Sequence, residues 1–261
     1  MRVLFSGDVA WSTGREVLAL ALPILRRDFG PIDFTVINCE NAAHGKGMTA
    51  KILDEFVALG VDAMTSGNHI WDKAPFFPVL DADTRVFRPA NYPFSCPGRG
   101  HGIIERKGKR LGILNLQGQV FMPPIENPFL VADACLGELG RVPVLVDFHA
   151  EATSEKLGLG HYLDGRVSAV VGTHTHVQTA DERILPKGTA YITDAGMTGA
   201  HGGMLGVTYD SAIQKFLTGL PVKFEPCESE AAFNGVVIDI NEETGHAEGI
   251  IRVTLPSETL T

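Results

Sequence analysis

The chain has few cysteines: four in 261 residues, with no Cys-x-x-Cys pair among Cys39, Cys96, Cys135 and Cys227. This spacing argues against a disulfide framework and is typical of reduced, mostly buried thiols in a cytosolic protein. No apolar stretch approaches the ~20 residues that a membrane-spanning helix requires. Met1 and Arg2 lead directly into an apolar run without a leader pattern, so we expect a cytoplasmic protein with no membrane partner.

A block of basic residues is also absent. The formal net charge is −9, and no cluster of Lys or Arg offers an extended positive surface to a nucleic-acid backbone. The phosphate-binding pattern Gly-x-x-x-x-Gly-Lys-Ser/Thr is missing, since Gly45-Lys46-Gly47 is too short for it, and nucleoside triphosphate chemistry is not indicated. Small anionic substrates stay compatible with this charge, because bound divalent cations reverse the local sign of a site.

The first third of the chain alternates strand and helix patterns. Strand-like runs at 2–5, 34–37 and 62–65 are separated by two apolar-periodic segments that predict helices. Ser12-Thr13 is expected to cap the first helix, which would end near Gly30, and Thr49 is expected to open the second. This order predicts right-handed βαβ crossovers and a parallel sheet.

The rest of the chain predicts a mixed sheet. Lys107-Gly108-Lys109 joins two strand-like runs as a hairpin turn. We find no repeat, low-complexity tract or linker, and therefore predict a single α/β domain over residues 1–261 with mixed sheets flanked by helices. Further predicted elements are strands at 143–148 and 167–171, a helix near 152–160, a closing hairpin of 235–240 with 247–253, and loops at 42–48, 119–127 and 197–206.

Metal-ligand residues follow five of the apolar runs. Because the carboxyl ends of neighbouring parallel strands converge on one crevice, we expect these side chains to meet in a small volume. Their number points to a metal centre with at least two ions. The candidate residues are Asp8, Glu40 with Asn41, Asn68 with His69, His149, and the pair His174 and His176.

Each of these residues also has an ordinary structural explanation. Asp8 alone fits a turn or helix cap, His149 alone fits a hydrogen-bonded core histidine, and His174 with His176 fits a buried structural pair. The metal-site hypothesis depends on the conjunction of all five strand ends in one topology. Imidazole, carboxylate and amide ligands without thiolate fit Mn, Fe or Zn, and the choice among them depends on geometry and metal supply more than on residue identity.

The order of these segments resembles the calcineurin-like metallophosphoesterases and, more closely, the YmdB-type phosphodiesterases. The similarity runs nearly end to end. It is carried by Ser6–Val9, Cys39–Ala43, Arg88–Pro93, Leu116–Gly118, Asp147–Lys156 and the residues from Asp164-Gly165-Arg166 to Asp181-Glu182-Arg183. The resemblance implies a four-layer αββα sandwich with two divalent or mixed-valence metal ions at the strand ends.

Ligand roles also follow from the resemblance. It implies one ion held by Asp8, Glu40 and His176, and a second held by Glu40, Asn68, His149 and His174, so that Glu40 bridges. Asn41 would help to hold a phosphate. His69 would lie just outside the ligands, where an imidazole can act as a general acid.

Three positions depart from the broader superfamily. Ala10 replaces the His of its Asp-x-His opening, so the first ion loses an imidazole. Glu40 replaces the usual bridging Asp, and its longer side chain must start farther from the ions. Ile70 replaces the usual acidic residue after Gly-Asn-His, and Asp72 is the one neighbour that the sequence suggests for orienting His69.

The predicted function is that of a phosphodiesterase. Two ions can activate a shared hydroxide and stabilise both the attacking and the leaving oxygens, and the resemblance implies small phosphodiesters, namely 2′,3′-cyclic nucleotides. The alternatives are a phosphomonoesterase of the same fold, a metal-dependent amide or ester hydrolase, and a regulatory or RNA-associated binding protein. The roles of His44 and His201 stay open between substrate contact and solvated loop residues. The oligomeric state also stays open, with a homo-oligomer expected by analogy.

Overall fold

The computed structural model describes residues 1–260. Two short 3₁₀ turns lie at Ala74–Phe76 and Ser257–Thr259. The helices are α1 (Trp11–Asp28), α2 (Ala50–Ala58), α3 (Phe77–Ala82), α4 (Pro128–Leu139), α5 (Thr153–Leu163) and α6 (Tyr209–Thr218). The strands are β1 (Arg2–Val9), β2 (Phe34–Asn38), β3 (Ala63–Thr65), β4 (His101–Arg106), β5 (Lys109–Gln117), β6 (Val144–His149), β7 (Ala169–Thr173), β8 (Arg183–Ile184), β9 (Ala190–Ile192), β10 (Met197–Ala200), β11 (Ala231–Ile240) and β12 (Ala247–Pro256).

The strands form two mixed sheets of six strands each. The first sheet has the order β12-β11-β10-β1-β2-β3, with β11 also pairing with β1, and the second has the order β4-β5-β6-β7-β9-β8. β1, β2 and β3 are parallel, as are β5, β6, β7 and β9, whereas the outer hairpins are antiparallel. The predicted parallel crossovers and mixed sheets are confirmed.

Side chains on successive strand positions point into different layers. On β1, Val3 and Phe5 pack between the two sheets, whereas Leu4 packs toward α1 and α2. On β6, Leu145 faces the space between the sheets and Val146 faces α4 and α5. Strands that are buried on both faces read as continuous apolar runs, which is the pattern of these segments. Helix, sheet, sheet and helix are therefore stacked in four layers, as predicted.

Most local predictions are confirmed, including the hairpin turn at Lys107 and Gly108, which both have positive φ. Thr49 caps α2 by accepting a hydrogen bond from the Ile52 N–H. The expected cap at Ser12-Thr13 is wrong, because α1 begins at Trp11 after Ala10 and has no side-chain cap. The elements α3, α4, α6, β8 and β9 were not predicted from the sequence.

The predicted loop 197–206 is wrong at its start, where β10 pairs with both β1 and β11. This strand has no β-branched apolar run of its own, and its structure comes from the two neighbours that supply its partners. Across residues 1–260, no helix combines the length and the apolar character needed to cross a bilayer.

The layer between the two sheets should dominate stability. Leu145 is fully buried there. We expect Leu145→Ala to lower the free energy of unfolding by about 2–5 kcal/mol, because a cavity adds to the lost burial. Leu130→Ala is the matched control, since Leu130 is 67% exposed on α4 and should change stability by no more than about 0.5 kcal/mol. Urea unfolding of the two variants measures the difference, and equal losses would contradict this view of the core.

Candidate metal centre

The strand ends of both sheets meet at one place. Three strand ends come from the first sheet and two from the second, so the crevice lies across the two sheets. The expectation that neighbouring strands of a single sheet form it is therefore wrong. The side chains gathered there are Asp8 of β1, Glu40 after β2, Asn68 after β3, His149 at the end of β6, and His174 and His176 after β7.

Glu40, His149 and His174 form the tightest group. Nε2 of His149 lies 2.9 Å from Oε1 of Glu40 and 3.0 Å from Nδ1 of His174. One potential ligand atom from each of the three residues lies within 4.8 Å of the others. Glu40 and His149 are buried, whereas His174 is partly exposed at the open side of the group. This geometry is suitable for a cation with a carboxylate and two imidazole ligands.

Asp8 and His176 lie beside this group. Oδ1 of Asp8 is 3.8 Å from Nδ1 of His149 and 4.0 Å from Nε2 of His176. The other carboxylate oxygen of Asp8 accepts a hydrogen bond of 3.1 Å from the His174 N–H. Asp8 therefore connects the His149 side of the centre with the His176 side.

Three buried atoms of the centre have no hydrogen-bond partner among residues 1–260: Oδ1 of Asp8, Oδ1 of Asn68 and Nδ1 of His176. Buried polar atoms in folded proteins are rarely left unpaired, because each one loses its hydration without replacement. All three atoms can offer a lone pair to a cation. The residues of the centre thus fit a metal site.

Gly67 provides the space. A Cβ at this position would overlap the His149 ring and Oε2 of Glu40. Gly67 therefore leaves room for the side chains of His149 and Glu40. The next residue, Asn68, is itself a candidate ligand. His69 continues the segment by donating its N–H to Oε2 of Glu40 over 3.1 Å.

A buried chain of hydrogen bonds determines which nitrogen of His149 is free. The Thr173 hydroxyl donates to Oδ1 of Asp147 over 2.7 Å, so its oxygen accepts from Nδ1 of His149 over 2.9 Å. Nε2 of His149 is then the nitrogen that faces Glu40 and His174, and it is the one that a cation could bind in place of a proton. Asp147 also accepts from Thr65 and Asn38. Such partners behind an imidazole ligand fix its tautomer and orientation.

The two carboxylates respond differently to burial. Burial raises the pKa of Asp8 to about 8. Burial acts on the pKa of Glu40 in the same direction, but the adjacent His149 outweighs it and lowers that pKa to about 2. Burial would lower the pKa of His149, yet Glu40 raises it to about 9. Without another cation, positive charge is thus concentrated on the His149 ring beside Glu40.

The other two imidazoles are held neutral. Burial, together with the charge of His149, lowers the pKa of His174 to about 3. Burial also lowers the pKa of His176 to about 4. A neutral imidazole has the lone pair that a metal ligand needs.

A buried ion pair holds the two histidines after β7 in place. His174 and His176 both have left-handed φ values, 93° and 65°, which non-glycine residues rarely adopt. Thr175 between them donates its N–H to Asp194 over 3.1 Å, and Asp194 is paired with the buried Lys156 at 2.8 Å. The Lys156 ammonium also donates to the Thr175 hydroxyl over 3.1 Å.

The sequence reasoning missed these supporting residues. Asp147, Thr173 and Lys156 occur in segments that carried the family resemblance or ended a strand, but they received no role. Their signal is polarity within an apolar environment: a carboxylate in the run of β6, a hydroxyl at the end of β7 and a lysine on the buried face of α5. Asp194 had no recognisable signal in the sequence.

His69 lies at the edge of the centre. Its Nδ1 is 3.0 Å from Oδ2 of Asp72, and its side chain is 26% exposed. Asp72 is thus the orienting partner that the sequence suggested. A carboxylate at Nδ1 leaves Nε2 of the ring available for proton transfer.

The remaining candidates lie on the His176 side. Asn41 donates its amide N–H to the Gly45 carbonyl over 2.9 Å, and its Oδ1 lies 3.2 Å from Nε2 of His176. His44 is exposed on the same loop. Nε2 of His201 lies 3.1 Å from the Met197 carbonyl, so that nitrogen is engaged with backbone.

The sequence profile of the YmdB-like proteins matches residues 4–253. The chain belongs to this family. It is 52% identical over 257 residues to the 2′,3′-cyclic-nucleotide 2′-phosphodiesterase of Bacillus subtilis strain 168, covering 98% of this chain and 97% of that protein. The family resemblance stated from the sequence is confirmed.

Two solved structures share the fold over almost their whole length. One is a hypothetical protein from Thermus thermophilus, with a TM-score of 0.92, 41% identity, and coverage of 98% of this chain and 99% of that chain. The other is a novel phosphatase from Mycoplasma pneumoniae, with a TM-score of 0.92, 32% identity, and coverage of 98% and 93%. The predicted metallophosphoesterase-type sandwich is confirmed by this architecture.

Gly67 gives a direct test of the centre. We expect Gly67→Ala to reduce bound metal strongly while the protein stays folded, because the new methyl group would displace His149 and Glu40 from each other. Gly137→Ala is the matched control, since a Cβ there meets nothing within 4 Å. Elemental analysis by mass spectrometry and circular dichroism measure the two effects. Full metal content in folded Gly67→Ala would contradict the assignment.

Proposed function

We propose that this protein hydrolyses small phosphodiesters, and 2′,3′-cyclic nucleotides in particular, with water as the nucleophile. The observation that carries the proposal is the buried centre whose Asp8, Asn68 and His176 atoms lack partners. Cations bound at such a centre would place positive charge next to a phosphate group. The 52% identical relative, a 2′,3′-cyclic-nucleotide 2′-phosphodiesterase, supports the substrate class.

The proposed ligand sets are those that the family resemblance implies. Asp8, Glu40 and His176 would hold one ion, and Glu40, Asn68, His149 and His174 would hold the other. When bound, two divalent ions lower the pKa of a shared water and neutralise charge on the phosphate. The proposed ions are Fe or Mn, with Zn as the alternative, and the nitrogen and oxygen donors fit all three. Cys39 does not join them, because burial raises the pKa of its thiol and disfavours the thiolate.

The protein's own groups position the substrate and move the proton. Asn41 lies against His176 and can offer its second amide N–H to a phosphate oxygen. As the water oxygen bonds to phosphorus, the bond to the ribose 2′ oxygen breaks and leaves an alkoxide of high pKa. His69, oriented by Asp72, would donate a proton to that oxygen. The product would be a nucleoside 3′-phosphate.

The organisation of the chain supports three further proposals. The described residues 1–260 of the predicted domain 1–261 would form one domain, because the core between the sheets joins residues from Val3 to Ile250. Thr261 lies outside the described residues. A cytoplasmic location is consistent with buried, unpaired Cys39, Cys135 and Cys227. We also keep a homo-oligomer as a proposal, which size-exclusion chromatography with light scattering would test.

Replacing Glu40 tests whether one carboxylate serves both ions. Glu40→Gln removes one of only two ligand charges, so we expect metal content and hydrolysis of bis-p-nitrophenyl phosphate to be lost together. Glu138→Gln is the control, because Glu138 lies on the exposed surface of α4. A Glu40→Gln protein with two bound ions and near-normal turnover would rule out the bridging role.

Replacing His69 separates metal binding from proton transfer. His69→Asn should keep its metal but cleave 2′,3′-cyclic AMP about 10²- to 10⁴-fold more slowly, since a positioned general acid contributes by that factor. The loss on bis-p-nitrophenyl phosphate should be much smaller, because p-nitrophenolate leaves without a proton. His101→Asn is the control, because His101 also pairs with a carboxylate, Glu138, but on the surface. Equal losses on both substrates would show that His69 is not the general acid.

A further inference from the structure

A small cavity opens directly beside the His176 side of the centre. Its volume is about 210 Å³. Asn41 and His176 belong both to the centre and to the wall of this cavity, so the two spaces adjoin. The aromatic and aliphatic part of the wall consists of Ala10, Trp11, Leu205, Val207 and Phe224.

The indole of Trp11 is the best-fixed part of this wall. The Trp11 backbone has a left-handed φ of 62° and donates its N–H to the Asn41 carbonyl over 3.0 Å. Two glycines frame the ring: a Cβ at Gly45 would overlap it, and a Cβ at Gly206 would lie 3.3 Å from Nε1. A bulky residue held in this conformation is strained, and such strain is usually retained where a side chain must be placed for function.

The wall also includes large, partly exposed apolar groups. Leu205 is 49% exposed and Phe224 is 46% exposed. Both lie on segments that flank the cavity rather than on a packed element. Lys46 and His44 add polar groups at the rim. Flat aromatic surfaces with a cationic rim are the usual means by which proteins hold bases through stacking.

We propose that this cavity binds the nucleobase of the substrate, with Trp11 and Phe224 as the stacking surfaces. The proposal rests on the proposed function, since it assigns the part of a cyclic nucleotide that the metal centre does not hold. The phosphate would lie at the centre and the base would lie beyond Asn41 and His176. The protein would then distinguish a nucleotide from a simple phosphodiester at this cavity.

The neighbouring cavity does not compete for this role. It has a volume of about 390 Å³ and shares His176 and Leu205 with the first. Its wall mixes apolar with polar side chains, and some of the polar groups are already paired: the Thr254 hydroxyl lies 2.8 Å from Oε1 of Gln178 and 2.9 Å from Oδ1 of Asn234. This wall contains no Trp, Tyr or Phe, so the larger stacking surfaces lie on the side of Trp11 and Phe224.

The decisive comparison uses two substrates that differ only in the base. One is 2′,3′-cyclic AMP and the other is the 2′,3′-cyclic phosphate of 1-O-methylribose. Phe224→Ala should lower kcat/KM for the nucleotide by about 5- to 150-fold, the range that stacking on one base supports, and leave the baseless substrate unchanged. Phe216→Ala is the matched control, since Phe216 is 77% exposed and lies outside the cavity wall.

A binding measurement gives an independent readout. Trp11 and Trp71 are the two tryptophans of the chain, so Trp71→Phe leaves Trp11 as the reporter. Adenosine 3′-monophosphate should quench its fluorescence, whereas inorganic phosphate should not. Adding Phe224→Ala to this background should raise the concentration needed for quenching by a similar factor.

The outcomes separate this proposal from the proposed function. If the wild-type protein cleaves neither cyclic phosphate, the proposed function fails. If it cleaves both with equal kcat/KM, or if Phe224→Ala affects both equally, the function stands and the base-binding proposal is overturned. Absence of quenching by adenosine 3′-monophosphate would also overturn it.

Discussion

The structure depends on burying charge where the two sheets meet. Asp8, Glu40 and Asp147 are all fully or almost fully buried close to His149. Asp147 is stabilised by three polar side chains, but Asp8 keeps an oxygen without a partner. A fold that removes these carboxylates from water needs positive charge in the same place. The layer arrangement itself thus creates a site that favours cations.

Several residues with strained backbone lie around the metal centre and the adjoining cavity. Trp11, His44, His174 and His176 all have left-handed φ values, and all of them lie at the centre or in the wall of the adjoining cavity. The Lys156–Asp194 pair and the Asn41–Gly45 hydrogen bond show what holds two of these turns. Packing and buried hydrogen bonds elsewhere offset strain of this kind, which persists where side-chain direction matters.

The sequence predicted most of the fold that places the centre, because the strands of this sheet pair are continuous apolar runs followed by polar residues. It could not predict β10, whose Met-Thr-Gly-Ala sequence becomes a strand only through β1 and β11. The ligand candidates named from the sequence all lie near one another, since strand ends determine their positions. Asp194 and the Trp11 wall were missed, because both depend on contacts between segments far apart in the chain.

Ala10 connects the departures in the sequence with the shape of the site. Where the broader superfamily has an imidazole, this chain has a methyl group that forms part of the wall of the cavity beside His176. The same position precedes Trp11, whose N–H reaches the Asn41 carbonyl. The methyl group of Ala10 and the aromatic ring of Trp11 therefore belong to one segment. The surroundings of the metal centre and the shape of the adjoining cavity both depend on how the chain leaves β1.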